Sequence, residues 1–142
     1  MIKEKKIKSV KEINLNKFRI GILTTFDSPL FPFFLSEIYN EGLKDLIIIY
    51  DSKITSKKDK LIWDQRTGGY FEKVARKKYN IDSSLLQSLP FYFIDNHNNQ
   101  ATLDLIKDLD IKCLFNAGTP RKLSNCIIDS IKHGIVNIHP GM

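Results

Sequence analysis

The alternation of short apolar runs with stretches of helix length constrains this chain more than any other feature of its sequence. "FRIGILT" (18–24) and "DLIIIY" (45–50) are dense in Ile, Leu and aromatic residues and lack a regular polar alternation. A strand with one solvated face would alternate, so these read as strands buried on both faces. Between them, residues 29–42 predict a helix capped by Ser28 and stopped by Gly42, with Pro32 in its first turn. Residues 56–79 are polar and predict helix in part, interrupted at "RTGGY". "PFYFI" (90–94) predicts a third strand. "NQATLDLIKDLD" (99–110) predicts an amphipathic helix with Ala101, Leu105 and Leu109 at a spacing of four. "KCLFNAG" follows as a fourth strand. In "TPRKLSNCIIDSIKHG", Thr119 reads as a helix cap, Pro120 as the first helical residue and Gly134 as the stop. "IVNIH" is the fifth strand. Five strands separated by helices imply a doubly wound, Rossmann-like α/β fold, a mostly parallel five-stranded sheet with helices on both faces.

At 142 residues, with 42% apolar and 27% charged residues, the chain is long enough to bury one sizeable core. The longest apolar runs stop far short of a membrane span. Residues 1–17 lack the apolar centre of a secretory signal and carry Glu4 and Glu12 where a transit peptide would avoid acids. They read as a basic N-terminal extension to a domain at 18–142, and the expected location is the cytoplasm. The net charge of +6 is local: Lys and Arg outnumber Asp and Glu 17 to 10 in residues 1–80 and fall behind, 5 to 6, in residues 81–142. "SKKDK" and "ARKKYN" could meet a polyanion, but no nucleic-acid motif with interleaved aromatics accompanies them, and a solvated Lys-rich face is the better reading. Cys113 and Cys126, each among aliphatic neighbours, read as buried thiols, and no metal site is indicated.

In a doubly wound sheet, ligands bind beyond the carboxyl ends of the strands. The loops to weigh are therefore "TFDSP", "YDSK", "DNHNN", "NAGTPRK" and "NIHPGM". In the last of these, Asn137 and His139 stand two apart on a strand and project to the same side. An amide N–H and an imidazole N–H aimed at one carbonyl oxygen can stabilise the negative charge that gathers there during nucleophilic attack, and the imidazole can move a proton. His97 in "DNHNN" reads as a solvated loop residue ahead of a helix cap. "RTGGYF" (66–71) reads as a helix break rather than an anion site.

The stretch "NAGTPRKLSNCIIDSIKHGIVNIHPGM" resembles the formyltransferase family, which includes glycinamide ribonucleotide transformylase, methionyl-tRNA formyltransferase and the sugar N-formyltransferases. The likeness is good over residues 91–142 and runs without insertion or deletion from Ala117 to Pro140; over 18–50 it is a likeness of βαβ pattern only. Its most specific element is Asn-x-His-Pro after a short helix that opens with an Arg-x-Leu segment. The resemblance implies that Asn137 and His139 are the catalytic Asn and His, acting on the formyl group of 10-formyltetrahydrofolate. It further implies that "GTPRKLS", with Gly118, Arg121 and Leu123 at matching positions, holds the pterin ring. Lys122 stands where an aliphatic residue is usual. A helix start at Thr119 would offer free backbone N–H groups there as well; the ordinary alternative is a strand-to-helix turn with Arg121 in a surface ion pair.

The family's catalytic Asp lies beyond the His-Pro motif and has no position in this sequence. The expectation is therefore a formyltransferase domain incomplete at its C-terminal end. The alternative is a catalytically incomplete folate- or nucleotide-binding module. The acceptor is expected to be a small-molecule amine, with a nucleotide or nucleotide sugar among the candidates and tRNA ranked last. "LTTFDSPLF" offers the hydroxyls of Thr24, Thr25 and Ser28 to such an acceptor, but no glycine that would let the backbone close round a phosphate.

Overall fold

The computed structural model of the protein describes residues 18–28, 30–54, 56–70 and 83–138. The basic extension at 1–17, the "ARKKYN" stretch, His139 and the residues after it lie outside these. The described elements run β1 (Ile20–Thr24), α1 (Phe31–Asn40), β2 (Leu46–Asp51), α2 (Lys57–Thr67), α3 (Ser83–Ser88), β3 (Phe91–Ile94), α4 (Gln100–Asp108), β4 (Cys113–Asn116), α5 (Asn125–Ser130) and β5 (Ile135–Asn137). The five strands form one sheet in the order β3-β2-β1-β4-β5, and every neighbouring pair is parallel. The predicted doubly wound fold is what the structure has.

Strand periodicity divides the core. Ile20 and Ile22 of β1, Leu46, Ile48 and Tyr50 of β2, and Cys113 of β4 pack with Phe31, Leu35 and Ile38 of α1 and with Leu85 and Leu89. The alternate residues Leu23, Ile47, Ile49 and Leu114 meet Ile106 of α4, Ile127 of α5 and Ile111 on the other face. Every residue of β1 and β2 is buried, as their continuous apolar runs require. Gly21 belongs to the second face: a Cβ there would press within 3.0 Å of Leu114 and 3.1 Å of Ile111.

Helix ends account for most differences from the sequence reading. Ser28 does not cap α1. Leu30 takes that place without a side-chain bond, Pro32 sets the first turn, and Ser28 is buried against the neighbouring strand. The buried face of α4 carries Thr102 and Ile106, one position on from Ala101 and Leu105, because the helix is anchored at Asn99, whose side chain accepts the Thr102 N–H at 2.9 Å. Helix α5 starts at Asn125 with Ser124 as its cap, not at Thr119, since residues 119–124 are drawn across the top of the sheet by contacts described below. Cys113 is buried as expected, but Cys126 is exposed on α5. "RTGGY" does end a helix: Gly68 is left-handed at φ 61°, and the N–H groups of Gly68 and Gly69 close on Gln65 and Asp64 carbonyls.

No described helix is long and apolar enough to cross a membrane.

Candidate functional site

Strand order reverses between β1 and β4; Thr24, Thr25, Ser28, Gly118, Arg121 and Leu123 lie at or beyond the carboxyl ends of these two strands, and Asn137 at that of the neighbouring β5. β4 ends on Asn116 and β5 on Asn137, paired in register. The Asn116 Nδ2 donates to Asn137 Oδ1 at 2.8 Å, while Asn116 Oδ1 accepts the Thr119 N–H at 3.4 Å. These two contacts fix both amide orientations. Asn116 is buried and Asn137 is exposed, so the Asn137 oxygen is held inward and its NH₂ group remains to donate. Sequence reasoning missed Asn116; its signal was a polar residue closing the apolar run "CLF", directly beside the strand that carries Asn137.

Beyond β4 the chain must turn hard. Gly118 adopts φ 93°, and a Cβ at this position would collide with the Ser28 hydroxyl. Both the left-handed backbone and the close approach require glycine. Ser28 and Thr24 donate their hydroxyls to the Ala117 carbonyl at 3.1 and 2.8 Å, and Thr25 donates to Asp27 at 2.8 Å. All three are buried. Of the hydroxyls expected to face an acceptor, those of Thr24 and Ser28 instead tie β1 and its loop to the β4 loop, and that of Thr25 is taken up within its own loop.

From Gly118 the loop runs back over β1 to the end of β2. There Arg121 forks onto Asp51, with its Nε 3.1 Å from Oδ2 and an Nη2 3.2 Å from Oδ1; the same Nη2 reaches the Asp95 carbonyl at 3.2 Å. This is not a surface pair, for the Asp51 side chain is 0% exposed and that of Arg121 is 23% exposed. Burial pushes the Asp51 carboxyl towards protonation, but donors from the Lys53 N–H, the Arg121 guanidinium and the His97 N–H outweigh it and hold its pKa below the ordinary value.

His97, read as a solvated loop residue, is fully buried against the same carboxylate. Its backbone N–H donates to Asp51 Oδ2 at 3.0 Å. The ring bridges outward: Nε2 lies 3.0 Å from the Lys122 carbonyl, which can only accept. Nδ1 stands 2.9 Å from Asp51 Oδ2 without the alignment of a hydrogen bond. Asn98 stitches the same loops, its Nδ2 donating to the Lys122 carbonyl at 2.7 Å and its Oδ1 accepting the Ser124 N–H at 2.9 Å. The Lys122 side chain, at the position where an aliphatic residue was expected, is exposed, and Leu123 is half-buried against the α4–α5 core.

Gly118, Arg121 and Leu123 therefore share one loop, anchored at the strand that pairs with the one carrying Asn137. His139 lies outside the described residues. The N–H groups expected at a helix start are differently arranged, because Thr119 begins no helix; the Arg121 N–H turns to the Thr119 hydroxyl at 3.4 Å.

No protein-family model matches the sequence, and no curated protein matches it. Among solved structures, the fold is similar to that of glycinamide ribonucleotide transformylase 1 from Symbiobacterium toebii, with a TM-score of 0.50 and 16% sequence identity over 88% of this chain. The match covers 52% of the transformylase chain, so this chain spans about half of that protein's length. At this identity the likeness is one of fold alone: a five-stranded parallel α/β domain.

Proposed function

We propose that this protein transfers a formyl group from 10-formyltetrahydrofolate to an amine, with Asn137 and His139 at the reacting carbonyl and the loop from Gly118 to Leu123 holding the pterin ring. The observation that carries this reading is the Asn116–Asn137 amide pair, which leaves the Asn137 NH₂ as a donor at the carboxyl end of β5. The fold-level likeness to a transformylase supports it. The folate, when bound, supplies an activated formyl carbonyl. Asn137 donates to that carbonyl oxygen as negative charge gathers on it, and its pre-set amide needs no reorganisation at that moment. His139, two residues on in the sequence, is assigned to the same oxygen, where its imidazole donates and moves a proton. Gly118 lets the backbone turn tightly beneath the ring, and Leu123 offers an apolar edge from the core. The acceptor is a small amine, with nucleotides and nucleotide sugars the first candidates to assay. A cytoplasmic location belongs to the same reading.

The test is turnover set against binding in the full-length protein. His139→Ala should lower kcat by about 10²–10³-fold, the usual effect of losing one donor to a developing oxyanion, while folate affinity changes by less than about threefold. Equal losses of turnover and affinity would make His139 structural. Folate binding with no turnover on any amine, in the wild-type protein, would replace the enzyme with a binding module.

A further inference from the structure

The cluster of Asp51, His97 and Arg121 is more elaborate than a turn between β4 and α5 needs. A buried carboxylate takes a guanidinium fork, two backbone N–H groups and a close imidazole, and each neighbour except Lys53 leads back to one segment, residues 121–124. Arg121 reaches it directly, and His97 reaches it through the Lys122 carbonyl. Burying such a charge is unfavourable unless its partners offset the lost hydration, and a plain loop between a strand and a helix does not require it. The buried carboxylate instead pins a loop that crosses from β4 over β1 to β2, where no regular element holds it.

We propose that Asp51 and His97 are positioning residues for the folate: they hold the segment Arg121–Leu123 in the shape that receives the pterin ring, without touching it. This rests on the function proposed above. Asp51 fixes the guanidinium of Arg121, which cannot then turn outward to the ligand as a free cation. His97 and Asn98 both face the Lys122 carbonyl, so the peptide between Lys122 and Leu123 is held in one orientation and the Leu123 side chain is presented from the core. The Nδ1 of His97 is buried 2.9 Å from the Asp51 carboxylate, so the imidazole packs directly against the group that Arg121 forks onto.

The experiment uses the full-length protein, with Asp51→Asn and His97→Gln as variants and 5-formyltetrahydrofolate, a stable folate, as the probe. Two quantities are measured: the folate Kd by titration calorimetry, and amide exchange of residues 118–124 without ligand. Loss of one charge-assisted contact is expected to weaken folate binding about tenfold or more and to speed exchange in this loop by a similar factor. The KM of the acceptor should stay within about twofold of wild type, and exchange in the loop should rise by more than the common rise that any loss of global stability brings to β1 and β2. If Asp51→Asn does not fold, Asn98→Ala, which removes only the half-exposed bridge to Lys122 and Ser124, should give the same selective pattern at smaller amplitude. Unchanged folate affinity in the folded variants overturns the proposal, as does exchange that rises equally throughout the sheet. A wild-type protein that takes up no folate overturns the function and this proposal together. Wild-type binding with unaltered variants overturns this proposal alone.

Discussion

Asn137 is one amide among several at the top of the sheet, and what distinguishes it is the neighbour that orients it. Asn116 is buried, donates to the Asn137 oxygen at 2.8 Å and is itself held by the Thr119 N–H. Replacing Asn116 with Asp exchanges the donor for an oxygen. Two oxygens would then face each other, and Asn137 would relieve the repulsion by turning its own NH₂ inward and its carbonyl outward. An outward carbonyl cannot stabilise an oxyanion. Under the function proposed above, Asn116→Asp should therefore lower kcat of the full-length protein about as far as Asn137→Ala does, on the order of 10²-fold, and the double variant should be little worse than either, because both remove the same donor. Independent, multiplying losses in that cycle would show that the pair does not act as a unit. Asn116→Leu tests the same point by a different route, removing the orienting donor without adding a repulsion, and should fall between wild type and Asn116→Asp.

Among the elements, the loop from β4 to α5 depends most on single positions. Gly118 combines φ 93° with contact against Ser28, whose Cβ would lie 3.1 Å from an added methyl group. Gly118→Ala should destabilise the protein by about 1–3 kcal/mol in urea unfolding, the cost of a non-glycine residue in a left-handed turn together with the clash. Ser28→Ala in the same chain should recover only part of the loss, since it removes the hydroxyl and leaves both the backbone strain and the Ser28-position methyl group. Full recovery would mean that the contact alone is the cost. This loop also shows how far the sequence could be read. The strands and the layer order follow from apolar runs that any parallel sheet requires, and β1 and β2 were legible because all their residues are buried. Thr119 and Pro120 carry the local chemistry of a helix start, yet the helix begins at Asn125, because Arg121 and Asn98 stretch the intervening residues towards β2 and the β3 loop. Local signals cannot report a pull from a residue 70 positions away in the chain. His97 was misread for the same reason. Its Asn-rich neighbours describe a turn correctly, with the Asn98 N–H donating to the Asn96 side chain, but nothing near it in sequence announces a buried carboxylate 46 residues earlier. The alternate choice of Thr102 and Ile106 over Ala101 and Leu105 on α4 is a phase error of one residue, set by where Asn99 caps the helix.

For the molecule as a whole, two ion pairs tie together opposite ends of the sheet, and their burial predicts opposite consequences. At the amino end Arg19 meets Asp45 at 3.2 Å and the Leu109 carbonyl at 2.8 Å, but its side chain is 40% exposed, so solvent screens the pair and it is worth about 0–1 kcal/mol. At the carboxyl end Arg121 meets a carboxylate with no exposure, and removing a partner there leaves a buried charge uncompensated, at a cost of about 3 kcal/mol. Asp51 should therefore make stability depend on pH. Its native pKa lies below the ordinary carboxylate value of about 3.9. A group whose pKa falls on folding contributes its full stabilisation above the unfolded value and loses it as the pH drops through the lowered native value, because the unfolded chain takes up the proton first. Urea unfolding of the wild-type protein should show stability falling steeply from about pH 5 downward. Asp51→Asn has no proton to take up at this position. It should start lower at pH 7, fall with a shallower slope, and approach the wild-type curve in acid. Parallel curves for Asp51→Asn and wild type would mean that Asp51 has the same pKa folded and unfolded, and that the buried carboxylate does not hold the carboxyl end of the sheet together through its charge.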